Sequence, residues 1–240
     1  MTVVRPLEGL VAAVTGGAGG IGRVICQRLT DDGAKVYSLD VAGAEGMEAV
    51  HCDVRQESSV AAAIDGIAGE AGRLDLLVYA AGISRDAVSW KASLDDWDLV
   101  QEVNLRGAWL TAKRAIPIIR SGDGGRIVFI GSINGSRGKF GTSAYSASKA
   151  GLIGLAKTMA RETGRFGICV NVVEPGMVTT GMTASLPDEV LAKAIDETLL
   201  GRLVEPEDIA ASVAFLCGPG ARGITGQVLR VDAGQVLGSS

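Results

Sequence analysis

The chain has 240 residues, 47% of them hydrophobic and 21% charged, with a net charge of −4 and an isoelectric point near 5.1. That length and balance fit one α/β domain able to bury a sizeable core without staples, so residues 1–240 are expected to form a single domain. The acidic balance without a basic stripe argues against a nucleic-acid face, and the short, glycine-broken apolar runs argue against a membrane span or a secretory leader at Met1-Thr2-Val3-Val4-Arg5-Pro6.

Apolar stretches of strand length alternate with longer stretches of helical period. Residues 10–15 form a Val- and Ala-rich strand that runs into glycines, and residues 21–29 carry apolar side chains at helical spacing. Residues 35–40 form a second strand. The twelve residues between Asp40 and Asp53 must hold another, which leaves room for a loop or a single helical turn. Further strands fall at 74–80, 126–130 and 168–173, each close to continuously apolar, as strands covered on both faces are. Helical patterns occupy residues 94–119 and 143–163. This alternation predicts an α/β fold, a Rossmann-type doubly wound parallel sheet of about seven strands flanked by helices. The cysteines (Cys26, Cys52, Cys169, Cys217) are widely spaced, which suits free buried thiols in the cytoplasm, and the lone His51 has no second ligand at metal-binding spacing.

Between the first strand and the first helix lies Thr15-Gly16-Gly17-Ala18-Gly19-Gly20-Ile21-Gly22. Glycines let the backbone approach a pyrophosphate, and a helix N-terminus offers unpaired N–H groups and a positive dipole end. The segment fits two forms: Gly17, Gly19 and Gly22 match G-x-G-x-x-G, while Thr15, Gly16, Gly20 and Gly22 match T-G-x3-G-x-G. Asp40 ends the second strand. A carboxylate there either caps a turn or accepts bonds from both adenosine ribose hydroxyls while repelling a 2′-phosphate, and the glycine loop upstream favours the ribose role. Tyr145 and Lys149 stand one helical turn apart, so phenol and ammonium share a face, and a neighbouring cation favours phenolate. Ser132 follows a strand at the carboxyl end, where its hydroxyl can bond a substrate oxygen or cap a turn.

Together these residues resemble the short-chain dehydrogenase/reductase family over residues 10–234. The glycine motif, Asp53-Val54, Ala81-Gly82, Asn104, Ser132, Tyr145 with Lys149, Asn171, Pro175-Gly176 and the stretch from Pro206 to Asp232 fall in family order. The resemblance implies an NAD-dependent oxidoreductase that interconverts a secondary alcohol and a ketone by hydride transfer. Tyr145 would be its general acid/base, with Lys149 lowering the phenol pKa and bonding the nicotinamide ribose. Ser132 would hold the substrate oxygen, and Asn104 would anchor a relay water or kink its helix. It further implies a cofactor cradle of Gly16, Gly20, Ile21, Gly22, Asp40, Asp53, Val54, Ala81, Gly82, Tyr145, Lys149, Pro175, Gly176, Val178 and Thr180, with Asp53 either touching adenine or capping the next helix. A homotetramer is implied too, with the helices before Ile119 and after Ser143 at one interface and the C-terminal segment at another. A lid is expected around residues 177–203, where Met177, Met182, Leu186, Val190, Leu191, Ile195 and Leu199 form an apolar stripe that either covers an apolar substrate or docks a plain amphipathic helix. Phe140, Trp90 and Met177 are candidate pocket walls.

Three departures from the family pattern bear on function. The places where NADP-using members carry basic residues hold Gly19 and Val41-Ala42-Gly43, which agrees with Asp40 on NAD. The usual N-N-A-G reads Tyr79-Ala80-Ala81-Gly82, so a brace of the sheet is missing or replaced. The usual V-D-G-G reads Val231-Asp232-Ala233-Gly234. Within the family, Ile83-Ser84-Arg85-Asp86, Met182-Thr183 and the region of Gly201-Arg202 resemble 3-oxoacyl-(acyl carrier protein) reductases. Those enzymes prefer NADPH and dock an acidic carrier through two arginines, whose places here hold Asp123 and Phe166, with Arg165 one residue away. A non-catalytic NAD-binding scaffold is a third reading, opposed by the intact Asn104, Ser132, Tyr145 and Lys149.

Overall fold

The computed structural model describes residues 5–43, 46–180 and 187–238. In chain order the first half holds β1 (Val11–Thr15), α1 (Gly20–Asp31), β2 (Lys35–Asp40), β3 (Glu48–His51), α2 (Glu57–Ala71), β4 (Leu76–Tyr79), α3 (Leu94–Gln101), a π turn (Glu102–Arg106) and α4 (Gly107–Arg120). The second half holds β5 (Gly125–Ile130), α5 (Ile133–Arg137), α6 (Ser143–Thr163), β6 (Ile168–Pro175), α7 (Asp188–Asp196), α8 (Pro206–Cys217), β7 (Val228–Val231) and α9 (Gln235–Gly238).

The central strands are apolar along most of their length because both faces are covered. In β1, Val11 and Ala13 enter one core cluster while Ala12 and Val14 enter the other. Likewise Leu77 and Tyr79 of β4 face one side and Leu76 and Val78 the other, and β5 divides Ile127 and Phe129 from Val128 and Ile130. Helices α2, α4 and α6 close the first cluster with Ile64, Ile67, Ala115, Leu152 and Met159, and α1 and α8 close the second with Ile25, Leu29, Ile209 and Val213. The strands form one seven-stranded parallel sheet in the order β3-β2-β1-β4-β5-β6-β7. The order reverses at β1, which pairs with β2 on one side and β4 on the other, so a crevice opens at the carboxyl ends of β1 and β4.

Several boundaries differ from those read in the sequence. The helix expected over residues 94–119 is two helices joined by the π turn. β4 is shorter than expected and β6 runs on to Pro175. Of the apolar lid stripe, Met182 and Leu186 lie outside the described residues, as does Thr183. Within α7 the fully buried residue is Ala194, whereas Val190 is 42% exposed, and Leu199 beyond it is 64% exposed. The described part of the stripe is therefore no seam packed on the core.

The altered V-D-G-G ending has a structural consequence. Ala233 has φ 53°, the one positive φ of a non-glycine among the described residues, and its carbonyl accepts from Leu199 N (3.0 Å) and Leu200 N (3.1 Å). The left-handed conformation costs an alanine about 1 kcal/mol that glycine escapes. Ala233→Gly is therefore expected to stabilise the fold by up to about 1 kcal/mol, seen as a higher urea midpoint with unchanged slope. A lower midpoint would show that the methyl packs well enough to outweigh its strain.

Candidate active site

The glycine turn leaves β1 at the switch point. Gly16 has φ 69°, and a Cβ on it would stand 2.7 Å from Ala81 Cα, so the turn must be glycine to lie against the loop after β4. A Cβ on Gly22 would run into Gly16 O, which keeps the start of α1 against the turn, and one on Gly17 would strike the Ser38 side chain. The positive φ at Gly16 favours the T-G-x3-G-x-G form. Gly19 is the N-cap residue of α1, whose first turn holds no acidic side chain, so its open N–H groups suit an anion. Ile21 packs partly against the core behind it. Asp40 stands beside the turn, Oδ2 accepting from Ala18 N and Oδ1 from Ala42 N, each at 3.1 Å.

The same crevice takes in the ends of β4, β5 and β6. Ala81 N donates to Thr15 Oγ1 (3.3 Å), and a Cβ on Gly82 would meet Lys149 Nζ at 3.3 Å and Asn104 Oδ1 at 3.5 Å. Pro175 ends β6, Gly176 N bonds Val231 O (2.9 Å), and Met177 N bonds Gln235 Oε1 (2.9 Å). Val178 is buried and bridges to Val204. The Thr180 methyl reaches within 3.3 Å of where a Gly20 Cβ would be, which sets residues 175–180 opposite the glycine turn.

The side chains expected to carry the reaction sit above β5. Ser132 is buried, N-caps α5 by accepting from Asn134 N (3.2 Å), and stands close enough to Tyr145 to act on its phenol. Lys149 lies on the same face of α6 as Tyr145, with Nζ 5.6 Å from the ring centroid and donating to Ile130 O at 2.8 Å. Burial pushes Lys149 down to about 8. Burial also raises the Tyr145 phenol, the Ser132 hydroxyl pulls it back and the Asp86 carboxylate raises it further. The expected depression of Tyr145 by Lys149 is thus not present in the protein alone. Desolvation outweighs it, and the ammonium is bonded to a backbone carbonyl.

Asn104 is fully buried in the π turn. Its Oδ1 accepts from Ile83 N (2.8 Å), and its Nδ2 donates to Ile83 O (2.9 Å) and Ser148 Oγ (3.0 Å). One amide proton clamps the loop after β4 and the other bonds Ser148 on α6, so any water its side chain holds must be taken on a remaining acceptor lone pair. Ser148 and Asp86 are members of this cluster that sequence reasoning missed. Neither has a local signal, since each is defined by what it meets across the fold.

Other expected residues are placed differently. The Val54 side chain is buried in the core against Gly107, so only its backbone is available to a ligand. Asp53 does not cap α2, whose N-cap position is Gln56. It accepts from Arg55 N (3.0 Å) and pairs with the Arg55 guanidinium (2.8 Å), which holds its carboxyl below the usual range. Trp90 and Phe140 do come together, lining one cleft with Val88, Ser143 and Ser146, but Met177 is not part of it. Among the described residues no helix is long and apolar enough to cross a membrane, and no cluster of His, Cys, Asp or Glu could hold a metal ion.

A parallel sheet with a glycine turn at its switch point, facing a buried serine and lysine and a half-buried tyrosine, defines a nicotinamide-dinucleotide oxidoreductase. The comparisons agree. A family model described as enoyl-(acyl carrier protein) reductase matches residues 16–235. The 3-oxoacyl-[acyl-carrier-protein] reductase FabG of Vibrio cholerae is 37% identical over 242 residues, covering 96% of this chain and 99% of that protein, and FabG of Escherichia coli K12 is 37% identical over 241 residues, covering 96% and 98%. The ligand-free aldohexose dehydrogenase of Thermoplasma acidophilum superposes with a TM-score of 0.93 at 32% identity over 98% of this chain and 96% of that one. The chain belongs to the short-chain dehydrogenase/reductase family.

Proposed function

We propose that this oxidoreductase is NAD-dependent and interconverts a secondary alcohol and a ketone, with Tyr145 as its general acid/base. The observation that carries the reading is the convergence of Ser132, Tyr145 and Lys149 on the crevice that the glycine turn opens. When bound, the nicotinamide supplies or accepts the hydride. In oxidation, the Tyr145 oxygen takes the alcohol proton while Ser132 donates to the same substrate oxygen; in reduction, Tyr145 returns that proton. The Lys149 charge, a helical turn away, steadies the phenolate. Asn104 holds the loop that borders Lys149 and has one acceptor left for a relay water.

Asp40 supports NAD over NADP. Its carboxylate is fixed by two backbone N–H groups and would face a 2′-phosphate as a like charge. Gly16, Gly20, Gly22, Gly82, Pro175, Gly176, Val178 and Thr180 would line the dinucleotide, with Asp53 and the backbone of Val54 toward adenine. We further infer a single domain with its substrate lid around 177–203, acting in the cytoplasm as a homotetramer. Trp109, Ala147, Ala150 and Gly154 are exposed on α4 and α6 and suit close helix packing between subunits. The small, apolar substrate would lie toward Trp90 and Phe140, which are 80% and 84% exposed.

A second reading has its own support. The place of one carrier-docking arginine holds Phe166, yet Arg120 and Arg165 stack on that ring at 4.9 Å and 4.7 Å. Positive charge therefore remains where an acidic carrier would dock, although Asp123 opposes it. The chain's likeness to the FabG proteins points the same way, toward a 3-oxoacyl thioester.

Nicotinamide absorbance decides between them. NAD(H) and NADP(H) are run in parallel against secondary alcohols, free ketones and acetoacetyl-CoA. NAD(H) preference with turnover of a free alcohol or ketone is expected. NADPH preference on the thioester would establish the carrier reading instead. Asp40→Ala should narrow the NAD preference in kcat/KM by about tenfold or more, because the repulsion of a 2′-phosphate is lost. An unchanged ratio would remove Asp40 as the determinant.

A further inference from the structure

Tyr79 stands where the family's asparagine motif is broken, and it does something an ordinary core tyrosine does not. It ends β4 and is fully buried, and burial holds its phenol well above the ordinary value, so it is a neutral O–H donor at any working pH. That hydroxyl donates to Val103 O, inside the π turn.

The pairing in the turn shows what this bond replaces. Gly107 N–H bonds Glu102 O, five residues back. In an uninterrupted α-helix it would bond Val103 O, four residues back. The tyrosine hydroxyl occupies the carbonyl that Gly107 has left. It also lies against Gly107 itself, where a Cβ would collide with Tyr79 Oη and crowd Val54. A side chain inserted into the helical ladder is a known cause of such irregularity. Asn104, the residue after Val103, makes its three side-chain bonds to Ile83 and Ser148 from within this turn.

We propose that Tyr79 is a positioning residue: its hydroxyl wedges the helix open at Val103, and the resulting π register sets Asn104 against Ile83 and the lysine side of the catalytic cluster. The catalytic consequence rests on the proposed role of Asn104, whereas the wedge itself does not.

The test is Tyr79→Phe, which keeps the ring in the core and removes the donor. Its crystal structure is expected to show Gly107 N–H bonded to Val103 O and Asn104 displaced from Ile83. A retained π turn with Asn104 still on Ile83 overturns the proposal whatever the kinetics. In solution kcat is expected to fall about tenfold or more with the KM for NAD within about twofold, and the pH profile of kcat to move. A merely structural loss would lower the melting temperature and leave that profile in place, which also overturns the proposal. Asn104→Ala runs alongside. If it lowers kcat and Tyr79→Phe does not, the wedge is wrong. If Asn104→Ala is itself silent, the relay reading fails and the wedge is judged on the helix register alone. Should Tyr79→Phe not fold, Gly107→Ala displaces the hydroxyl from the other side; a similar kcat loss is expected, and wild-type kcat with an unmoved pH profile overturns the proposal.

Discussion

Tyr145→Phe is expected to lower kcat by about a thousandfold while the protein still folds and binds NADH. General acid–base catalysis by one positioned group contributes a factor on this order, and phenylalanine removes only the atom that moves the proton. The ring remains in its place above β5, and Ser132 keeps its bond to Asn134 N, so the turn that presents the serine should not change. Steady-state kinetics with NADH fluorescence titration separates the two effects. A kcat within tenfold of wild type would remove Tyr145 as the proton carrier, and lost cofactor binding would make its role structural.

Lys149→Met should produce an inactive protein that is more stable than wild type. The ammonium is enclosed and held at about 8, against 10.5 for a free lysine. Below pH 8 the folded and unfolded chains both carry the proton, so the full cost of burying the charge is felt, about 3 kcal/mol. Between pH 8 and 10.5 the unfolded chain holds more protons than the folded one, so wild-type stability rises and the cost disappears. Methionine avoids the charge but leaves Ile130 O without its donor, which offsets part of the gain. The variant should be more stable by about 1–2 kcal/mol at pH 7, with the difference shrinking toward pH 10. Raised thiol pKa values at Cys26 and Cys217, both about 12, affect both proteins alike and cancel in the comparison. Denaturant melts of both proteins at pH 7 and pH 10 check this. A variant less stable at pH 7 would mean that the lysine's packing and hydrogen bond outweigh its desolvation. Activity should fall at least a hundredfold, since the phenolate loses its neighbouring cation.

What could be read from the sequence followed burial. β1, β4, β5 and β6 stood out because both faces are covered, leaving nearly continuous apolar runs. β3 did not, because Glu48–His51 lies at the edge of the sheet, is only partly covered and was inferred from loop length alone. Gly16, Gly22, Asp40 and the Tyr145–Lys149 pair were legible because their spacing is local and tied to one strand–turn–helix or one helical turn. The π turn was not, since its cause, the Tyr79 hydroxyl, lies on another element. The Val54 side chain fills the core, which leaves its backbone for the cofactor contact, because spacing places a residue without saying which way its side chain points. The same limit hid the direction of the Tyr145 shift: the sequence puts a cation nearby but does not reveal how deeply the pair is buried. Phe166 read as a lost charge because Arg120, which stacks on it, comes from a distant helix.

The strand order carries a consequence for how the chain is made. As the chain emerges from the ribosome, β2 and then β3 extend the sheet outward from one side of β1, and β4, β5, β6 and β7 extend it in turn from the other. No strand has to be threaded between two already paired, so each segment can dock on an open edge soon after it is synthesised. A nascent chain ending before β4 would already hold α2, but it would leave open the edge of β1 that pairs with β4, and the face carrying Val11 and Ala13 would still lack α4 and α6. The first three strands are therefore a growing platform that gains its lasting stability only when the second half arrives.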